Sequence, residues 1–185
     1  MTEYELTRRD ALIALGAGGV TVGAGALTWQ QLADDGDGDS EGFSDRQRET
    51  LLALARTIYP GPVSNVESFV EQYVVGKALE QPEYAAGMAD ALDDLDEYAQ
   101  TWEESHFATL DDGTRDQLLR EFSVDTAEPV PNGRRHERVR YYLVNELQFA
   151  LYSAPTGGEL VGLENPQGHP GGTESYRRPP PEERE

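Results

Sequence analysis

The chain has only three histidines, and two of them are the first residues to consider for binding a metal ion or transferring a proton. Glu103 and His106 form a Glu-x-x-His step, the spacing with which di-iron carboxylate bundles place two ligands on one side of a helix. Those sites need a second such step and two further glutamates, and the sequence contains no second Glu-x-x-His. We therefore predict no metal site. We expect His106 to lie at a solvated helix end, near the last carbonyl groups of the helix.

The second histidine is His169, which stands between Gly168 and Pro170. No acid, serine or cysteine lies at a spacing that would make it part of a catalytic set, so turn packing or contact with a partner is the favoured interpretation. The chain has no cysteine, which excludes disulfides, iron–sulfur clusters, thiolate zinc sites, Cys-x-x-Cys-His haem attachment and a lipobox anchor. No Gly-x-Gly-x-x-Gly lies between a strand and a helix. We predict no catalytic, cofactor-binding or metal-binding residue.

The elements that must position these residues are helices, because apolar residues recur at helical spacing and strand-like alternation is almost absent. The expected starts are a capping box at Ser44 and Gln47, an N-cap at Asn65, Pro82 in a first turn, a cap at Asp111, Asp112 or Thr114 before a short helix, and Asn132 before the last one. The predicted fold is an all-α, compact bundle of about five helices. The predicted apolar faces comprise Leu51, Leu52, Leu54, Ala55 and Ile58; Val66, Phe69, Val70, Tyr73 and Val74; Met88, Ala91, Leu92, Leu95, Tyr98, Ala99 and Trp102; Leu118, Leu119 and Phe122; and Val139, Leu143, Leu147, Ala150 and Leu151.

Glycine and proline dominate the sequence from Pro155 onward, and this composition predicts an irregular C-terminal segment without regular helix. Leu160, Val161 and Leu163 could still pack it against the bundle. We therefore divide the chain into a helical domain over residues 44–176 and a disordered tail over 177–185.

The N-terminal 33 residues look like an export signal. Arg8 and Arg9 follow Thr7 and precede a mildly apolar stretch, Ala11 to Trp29, as in twin-arginine signals, which address folded proteins for export across the membrane. Ala24-Gly25-Ala26 would serve as a cleavage site, and at about 20 residues the stretch is also at the margin of a membrane anchor. Cleavage and retention both stay open, and the alternative is an ordinary buried helix. Export would place the protein at the extracellular face of the cytoplasmic membrane, anchored or peripheral.

The chain is strongly acidic, with a formal net charge of −20. The acids are spread along the whole sequence, which favours adaptation to high salt, as in proteins of halophilic archaea. A nucleic-acid partner is not expected because no basic patch is present. Residues 34–43 alternate acids with glycine and predict a flexible linker.

Several segments, taken in order, resemble the small subunit, subunit 3, of membrane-associated gluconate 2-dehydrogenase. The resemblance covers roughly Phe43 to Tyr176 and departs from the family in the acidic linker and in the Pro-rich stretch from Ser123 to Gly133. The matching segments are Leu51 to Pro60, Val66 to Ala78, Leu92 to Phe122, Tyr142 to Ser153, and Gly168-His169-Pro170-Gly171-Gly172 followed by Tyr176.

The resemblance implies a non-catalytic subunit that supports assembly and twin-arginine export of a flavoprotein of the glucose–methanol–choline type. The FAD would belong to that large subunit, and the further partners would be a haem or other electron-transfer subunit and the twin-arginine translocase. The alternative is a stand-alone exported helical protein of the cell surface without a redox partner. The expected partner surface is the aromatic C-terminal region, represented by Tyr152, His169, Pro170, Gly171 and Tyr176.

Overall fold

The computed structural model describes residues 4–19 and 42–162. Several predicted features lie outside these residues: the cleavage site at Ala24-Gly25-Ala26, most of the acidic linker, Leu163, the C-terminal tail, and the partner residues His169, Pro170, Gly171 and Tyr176. In chain order the described elements are β1 (Tyr4–Glu5), α1 (Arg8–Ala17), α2 (Asp45–Ile58), β2 (Val63–Ser64), α3 (Val66–Glu80), α4 (Pro82–Glu103), a 3-10 turn (Phe107–Thr109), α5 (Asp112–Glu121), α6 (Arg135–Val139), a π segment (Arg140–Val144), α7 (Asn145–Ser153) and α8 (Pro155–Leu160).

The predicted all-α bundle is confirmed. The Ser44 hydroxyl accepts from the backbone N–H of Gln47, whose side chain accepts from that of Ser44, so α2 begins with the expected capping box. Pro82 occupies the first turn of α4, and the Asp111 carboxylate caps α5 by accepting from the backbone N–H of Thr114 at 3.0 Å. These three helix starts were thus readable from the sequence.

The core is formed by the apolar faces of these helices, largely as the spacing predicted. The buried members of the predicted faces are Leu51, Leu54, Ala55, Phe69, Val70, Tyr73, Val74, Met88, Ala91, Leu92, Leu95, Ala99, Leu118, Leu119, Phe122, Val139, Leu143, Leu147, Ala150 and Leu151. Leu52, Ile58, Val66 and Tyr98 are partly buried and pack against this core. Trp102 is exposed over 66% of its surface, although its spacing placed it in the α4 stripe. The helix ends one residue later, at Glu103, so no further turn shields the indole.

The N-terminal segment packs as part of the bundle. Helix α1 lies against α3 and α7, and β1 pairs in parallel with β2, with Tyr4 opposite Val63. Leu6, Ala11 and Ala14 are fully buried in the same core as the other helices. The compact structure therefore includes residues well before Phe43, where the composition had suggested that it begins.

The predicted helix start at Asn65 is right in position but lacks the expected side-chain cap, and the predicted start at Asn132 is wrong. Asn65 has a left-handed backbone and no capping bond, because its side-chain amide donates instead to the Leu6 carbonyl at 2.6 Å and ties the N-terminal segment to the bundle. The last long helical stretch begins at Arg135 rather than Asn132. Its first turn is stabilised by Glu137, whose carboxylate accepts from the Arg134 backbone N–H at 2.6 Å.

The expectation that no regular helix follows Pro155 is also wrong, since α8 covers Pro155–Leu160. Proline at the first position suits a helix start. A Cβ on Gly157 would lie only 1.8 Å from the Leu151 carbonyl oxygen, so this glycine permits close packing of two chain segments. Among the described residues, no helix is both long and apolar enough to cross a membrane.

Candidate functional site

The predicted export motif forms the start of α1. The hydroxyl of Thr7 accepts from the backbone N–H of Asp10 at 3.2 Å, and the Asp10 carboxylate accepts from the backbone N–H of Thr7 at 2.8 Å. This capping box gives Thr7 and Asp10 a structural role. Arg8 and Arg9 lie between them with exposed side chains, and neither forms an ion pair with another described residue. The capping box therefore accounts for the residues that flank the arginine pair but not for the pair itself.

The Asp10 carboxylate also connects the two ends of the described chain. Its other oxygen accepts from the Thr156 backbone N–H at 3.2 Å and from the Thr156 hydroxyl at 3.1 Å, at the start of α8. The Thr7 hydroxyl also donates to the Asp10 carboxylate, at 2.5 Å. Asp10 is buried, so the four hydrogen bonds that its carboxylate accepts, two from Thr7 and two from Thr156, satisfy a group that would otherwise be costly to desolvate. We interpret it as a structural tie between α1 and α8.

The main cluster of titratable side chains is centred on Glu146 in α7, a buried residue. Its Oε1 accepts from the Tyr73 hydroxyl and the Lys77 ammonium, both at 2.5 Å, and its Oε2 accepts from the Tyr84 hydroxyl at 2.7 Å. Lys77 is the only lysine of the chain, and its Nζ also lies 4.3 Å from the centroid of the Tyr84 ring. We call Glu146, Lys77, Tyr73 and Tyr84 the Glu146 cluster.

Electrostatics keep the phenols of this cluster protonated. Burial, followed by the nearby Glu146 carboxylate, raises the pKa of Tyr73 and of Tyr84 far above the ordinary value. The same two causes raise the pKa of the neighbouring Tyr59, whose hydroxyl donates to the Leu147 carbonyl at 2.9 Å. A phenol with so high a pKa is a poor general base, and here it acts as a hydrogen-bond donor.

Two further buried acids lie on α4, and both have structural partners. Asp96 accepts from the Phe107 backbone N–H at 2.9 Å and lies 2.8 Å from His106 Nδ1. His106 thus pairs with a carboxylate, which corrects the interpretation that it caps the last carbonyl groups. Asp94 forms ion pairs with Arg135, at 3.1 Å, and with Arg138. These contacts fix the 3-10 turn and α6 against α4.

No set of three potential metal ligands converges within residues 4–19 and 42–162. A surface cavity of about 170 Å³ lies between α2, α5 and the π segment, lined in part by Ile58, Leu119, Arg120, Arg140 and Val144. This volume is below the roughly 300–1,000 Å³ typical of small-molecule sites. Tyr152, one of the predicted partner residues, is 39% exposed on α7, next to the start of α8.

The Glu146 cluster was not predicted from the sequence, although one signal was available. Glu146 follows Leu143 by three residues and precedes Ala150 by four, so it lies in phase with the apolar stripe of the last helix. A carboxylate in an apolar stripe requires a buried partner. That the partners come from α3 and α4 could not be read from the spacing.

These observations define a class of protein: an all-α bundle whose buried acids are engaged in holding its helices together. The family model of gluconate 2-dehydrogenase subunit 3 matches residues 45–171, which is more than half of the chain. The chain therefore belongs to the gluconate 2-dehydrogenase subunit 3 family. The matched range begins with α2, so β1 and α1 lie outside it while packing against it. Neither a search of curated proteins nor one of solved structures gave a match.

Proposed function

We propose that this protein is a non-catalytic accessory subunit of a membrane-associated, flavin-dependent dehydrogenase of the glucose–methanol–choline type. The observation that carries the proposal is the family match, because the family is named for a subunit of a dehydrogenase complex. The arrangement of the acids supports it. Asp10, Asp96 and Glu146 are hydrogen-bonded to protein groups, and Asp94 is ion-paired, in ways that stabilise the bundle. The chemistry and the FAD would then belong to the partner subunit.

The experiment that tests this function is purification of the tagged, full-length protein from its native membranes in high salt. The eluate is examined by mass spectrometry and by its flavin absorbance between about 350 and 500 nm. The expected result is a stoichiometric flavoprotein larger than this chain, with or without a haem-containing third subunit. A colourless eluate that contains this chain alone would refute the proposal and favour a stand-alone surface protein.

We further propose that the subunit directs the complex to the twin-arginine translocase. Support comes from Arg8 and Arg9, whose side chains are exposed and have no ion-pair partner among the described residues. Exposed arginines without an ion-pair partner contribute little to the free energy of folding. Recognition by another protein would explain why the two arginines are present. Replacing both by lysine is expected to abolish export and leave the melting temperature unchanged. Export of the double variant at the wild-type level would refute this role.

Packing of α1 favours retention of the N-terminal segment after export. Cleavage after Ala26 would remove β1 and α1, and with them Leu6, Ala11 and Leu15 from the core. The same apolar residues cannot be buried in the bundle and inserted into the translocase at once, so α1 has to leave the bundle, or be read before it docks. The intact mass of the exported protein tests this proposal: we expect a mass that includes residues 4–19, and a mature N-terminus after Ala26 would contradict it.

A further inference from the structure

An exposed aromatic side chain stands at the end of α4 on a rigid support. Trp102 is 66% exposed, and its ring centroid lies 6.0 Å from that of Tyr98, one helical turn earlier. Tyr98 in turn stacks on the buried Phe122, the residue after α5, with 4.0 Å between centroids and an interplanar angle of 11°. The indole is thus presented by an ordered pair of rings, which lowers the ordering cost of any contact it makes.

The backbone at this end of the molecule has an unusual conformation. Glu104 ends α4 with φ of 51°, and Ser123, directly after Phe122, has φ of 62°. Both are left-handed conformations in which glycine is the common residue at helix ends. The chain changes direction at Glu104 and at Ser123. Trp102 and Phe122 therefore both lie at helix ends. Strained positions of this kind are often found at binding surfaces.

Acidic residues predominate around these rings, although Arg135 lies nearby and His136 packs edge-on against Phe122 with 6.2 Å between ring centroids. Glu103 and Glu104 follow Trp102 directly and are exposed, and Glu121 is close enough to Tyr98 to contribute, after desolvation, to raising its pKa. None of the three glutamates forms an ion pair with another described residue. Nearby Glu97, in contrast, is neutralised by Arg135 at 2.5 Å. A partner that covers the rings would therefore have to supply positive charge around an apolar centre.

We propose that Trp102, supported by Tyr98 and bordered by Glu103, Glu104 and Glu121, is the site at which this subunit docks on the catalytic flavoprotein. The matching surface of the flavoprotein would be an apolar recess bordered by arginine or lysine side chains. This inference rests on the proposed function, and it is independent of the C-terminal partner surface predicted from the sequence. Trp is enriched among the few residues that dominate interface affinity, and an exposed, preorganised Trp fits that role.

The test measures flavin bound per tagged subunit after purification of full-length variants. Trp102→Ala is expected to reduce the flavoprotein recovered per subunit at least about tenfold, as for an interface hot spot. Leu79→Ala, which removes another exposed apolar side chain (43% exposed), is the matched control and should leave recovery unchanged. The melting temperature of each free subunit shows whether the variant is folded. A folded Trp102→Ala protein that retains its flavoprotein would overturn the inference.

Two outcomes separate this inference from the proposals on which it rests. If the wild-type protein itself brings down no flavoprotein, the proposed function fails. If the wild type retains the flavoprotein and Tyr152→Ala loses it while Trp102→Ala does not, the function stands and docking belongs to the C-terminal surface instead.

The charge requirement has its own test. The double variant Glu103→Gln and Glu104→Gln should weaken the complex several-fold at low salt and have a smaller effect at high salt, because exposed charges are screened. An effect that does not depend on salt would contradict a basic border on the partner.

Two further measurements check for other occupants of the site. Trp29→Phe leaves Trp102 as the only tryptophan, and the fluorescence of the free subunit should be readily quenched by acrylamide. Shielding from acrylamide would mean that this chain covers its own indole. Sedimentation of the free wild type should give a monomer. A dimer that Trp102→Ala abolishes would assign the site to a second copy, and either result would overturn the inference.

Discussion

The Glu146 cluster and the end of α4 at Trp102 differ in how far their side chains are exposed to water. In the first, an acid, a lysine and two tyrosines are withdrawn from water, and each is paired with another member of the cluster. In the second, a large apolar ring is left in water on an ordered support. Groups that could do chemistry are used for stability, and a group that should be buried is exposed. The contrast favours a protein that binds a partner over one that transforms a substrate.

The largest effect is expected at the centre of the Glu146 cluster. Glu146→Ala removes the partner of a largely buried ammonium group and leaves Lys77 and two phenols without their acceptor. Removing one partner of a buried ion pair typically costs about 3–5 kcal/mol. We expect a loss of this size in the free energy of unfolding, measured by chemical denaturation of the free subunit.

The control is the double variant Lys77→Met and Glu146→Leu, which replaces the pair by apolar side chains of similar length. It should lose clearly less stability than Glu146→Ala, since no charge is left unpaired. Equal losses in the two variants would mean that the ion pair does not determine the stability of this region.

The raised pKa values of Tyr59, Tyr73 and Tyr84 predict that the free energy of unfolding falls at alkaline pH. Their pKa is raised in the folded protein above the value of about 10 in an unfolded chain, so above pH 10 the folded state keeps protons that the unfolded state has lost. Their stabilising contribution is fully present below pH 10 and decreases as pH rises, by about 1.4 kcal/mol per pH unit for each such tyrosine. Tyr73→Phe should reduce the total loss of unfolding free energy between pH 9 and 11 by about 1.4 kcal/mol, because the full slope is reached only well above pH 10. An identical loss between pH 9 and 11 in the wild type and in Tyr73→Phe would contradict the assignment.

A smaller effect is expected where α1 is tied to α8. Asp10→Ala removes a helix cap and the hydrogen bonds to Thr156, for a loss of about 1–2 kcal/mol in unfolding free energy. Arg8→Ala and Arg9→Ala are the matched controls, and each should stay within about 0.5 kcal/mol of the wild type. If Asp10→Ala is as stable as the controls, α1 does not contribute to the free energy of the bundle.

The smallest effect on stability is expected for Trp102, which lies on the surface. Trp102→Ala removes a large side chain, but one that is mostly in water, so the free energy of unfolding should change by no more than about 0.5 kcal/mol. Thermal unfolding of the free subunit measures it. A loss of 2 kcal/mol or more would place Trp102 with the core residues and remove the contrast between the two regions.

A structural feature could be predicted from the sequence when the interaction that causes it lies within a few residues along the chain. Ser44, Pro82 and Asp111 act within one helical turn, and their roles were predicted correctly. Asn65 has the residue type of a cap, but a contact with Leu6, far away in sequence, determines what its side chain does. Gly157 has the residue type of a helix breaker, but the nearby Leu151 carbonyl makes it a packing residue. Long-range contacts decided both cases, and periodicity contains no information about them.

The same reasoning applies to the sites. The arginine pair at Arg8 and Arg9 is a local motif and was visible at once, whereas the Glu146 cluster assembles from three helices and was not. The exposure of Trp102 depends on where α4 ends, a boundary that spacing alone leaves uncertain by a turn. His169 and Tyr176 lie outside the described residues, and their role at a partner surface stays a prediction.

The proposed function requires that this chain binds a flavoprotein and that the flavin belongs to that partner. The most direct measurement is the absorbance spectrum of the complex purified through this subunit, followed by separation of its chains and assignment of the flavin by mass spectrometry. We predict a flavin spectrum in the complex and a flavin that stays with a larger chain, leaving this subunit colourless. A flavin or another chromophore that remains with this chain after separation would contradict the claim, as would an eluate without any partner.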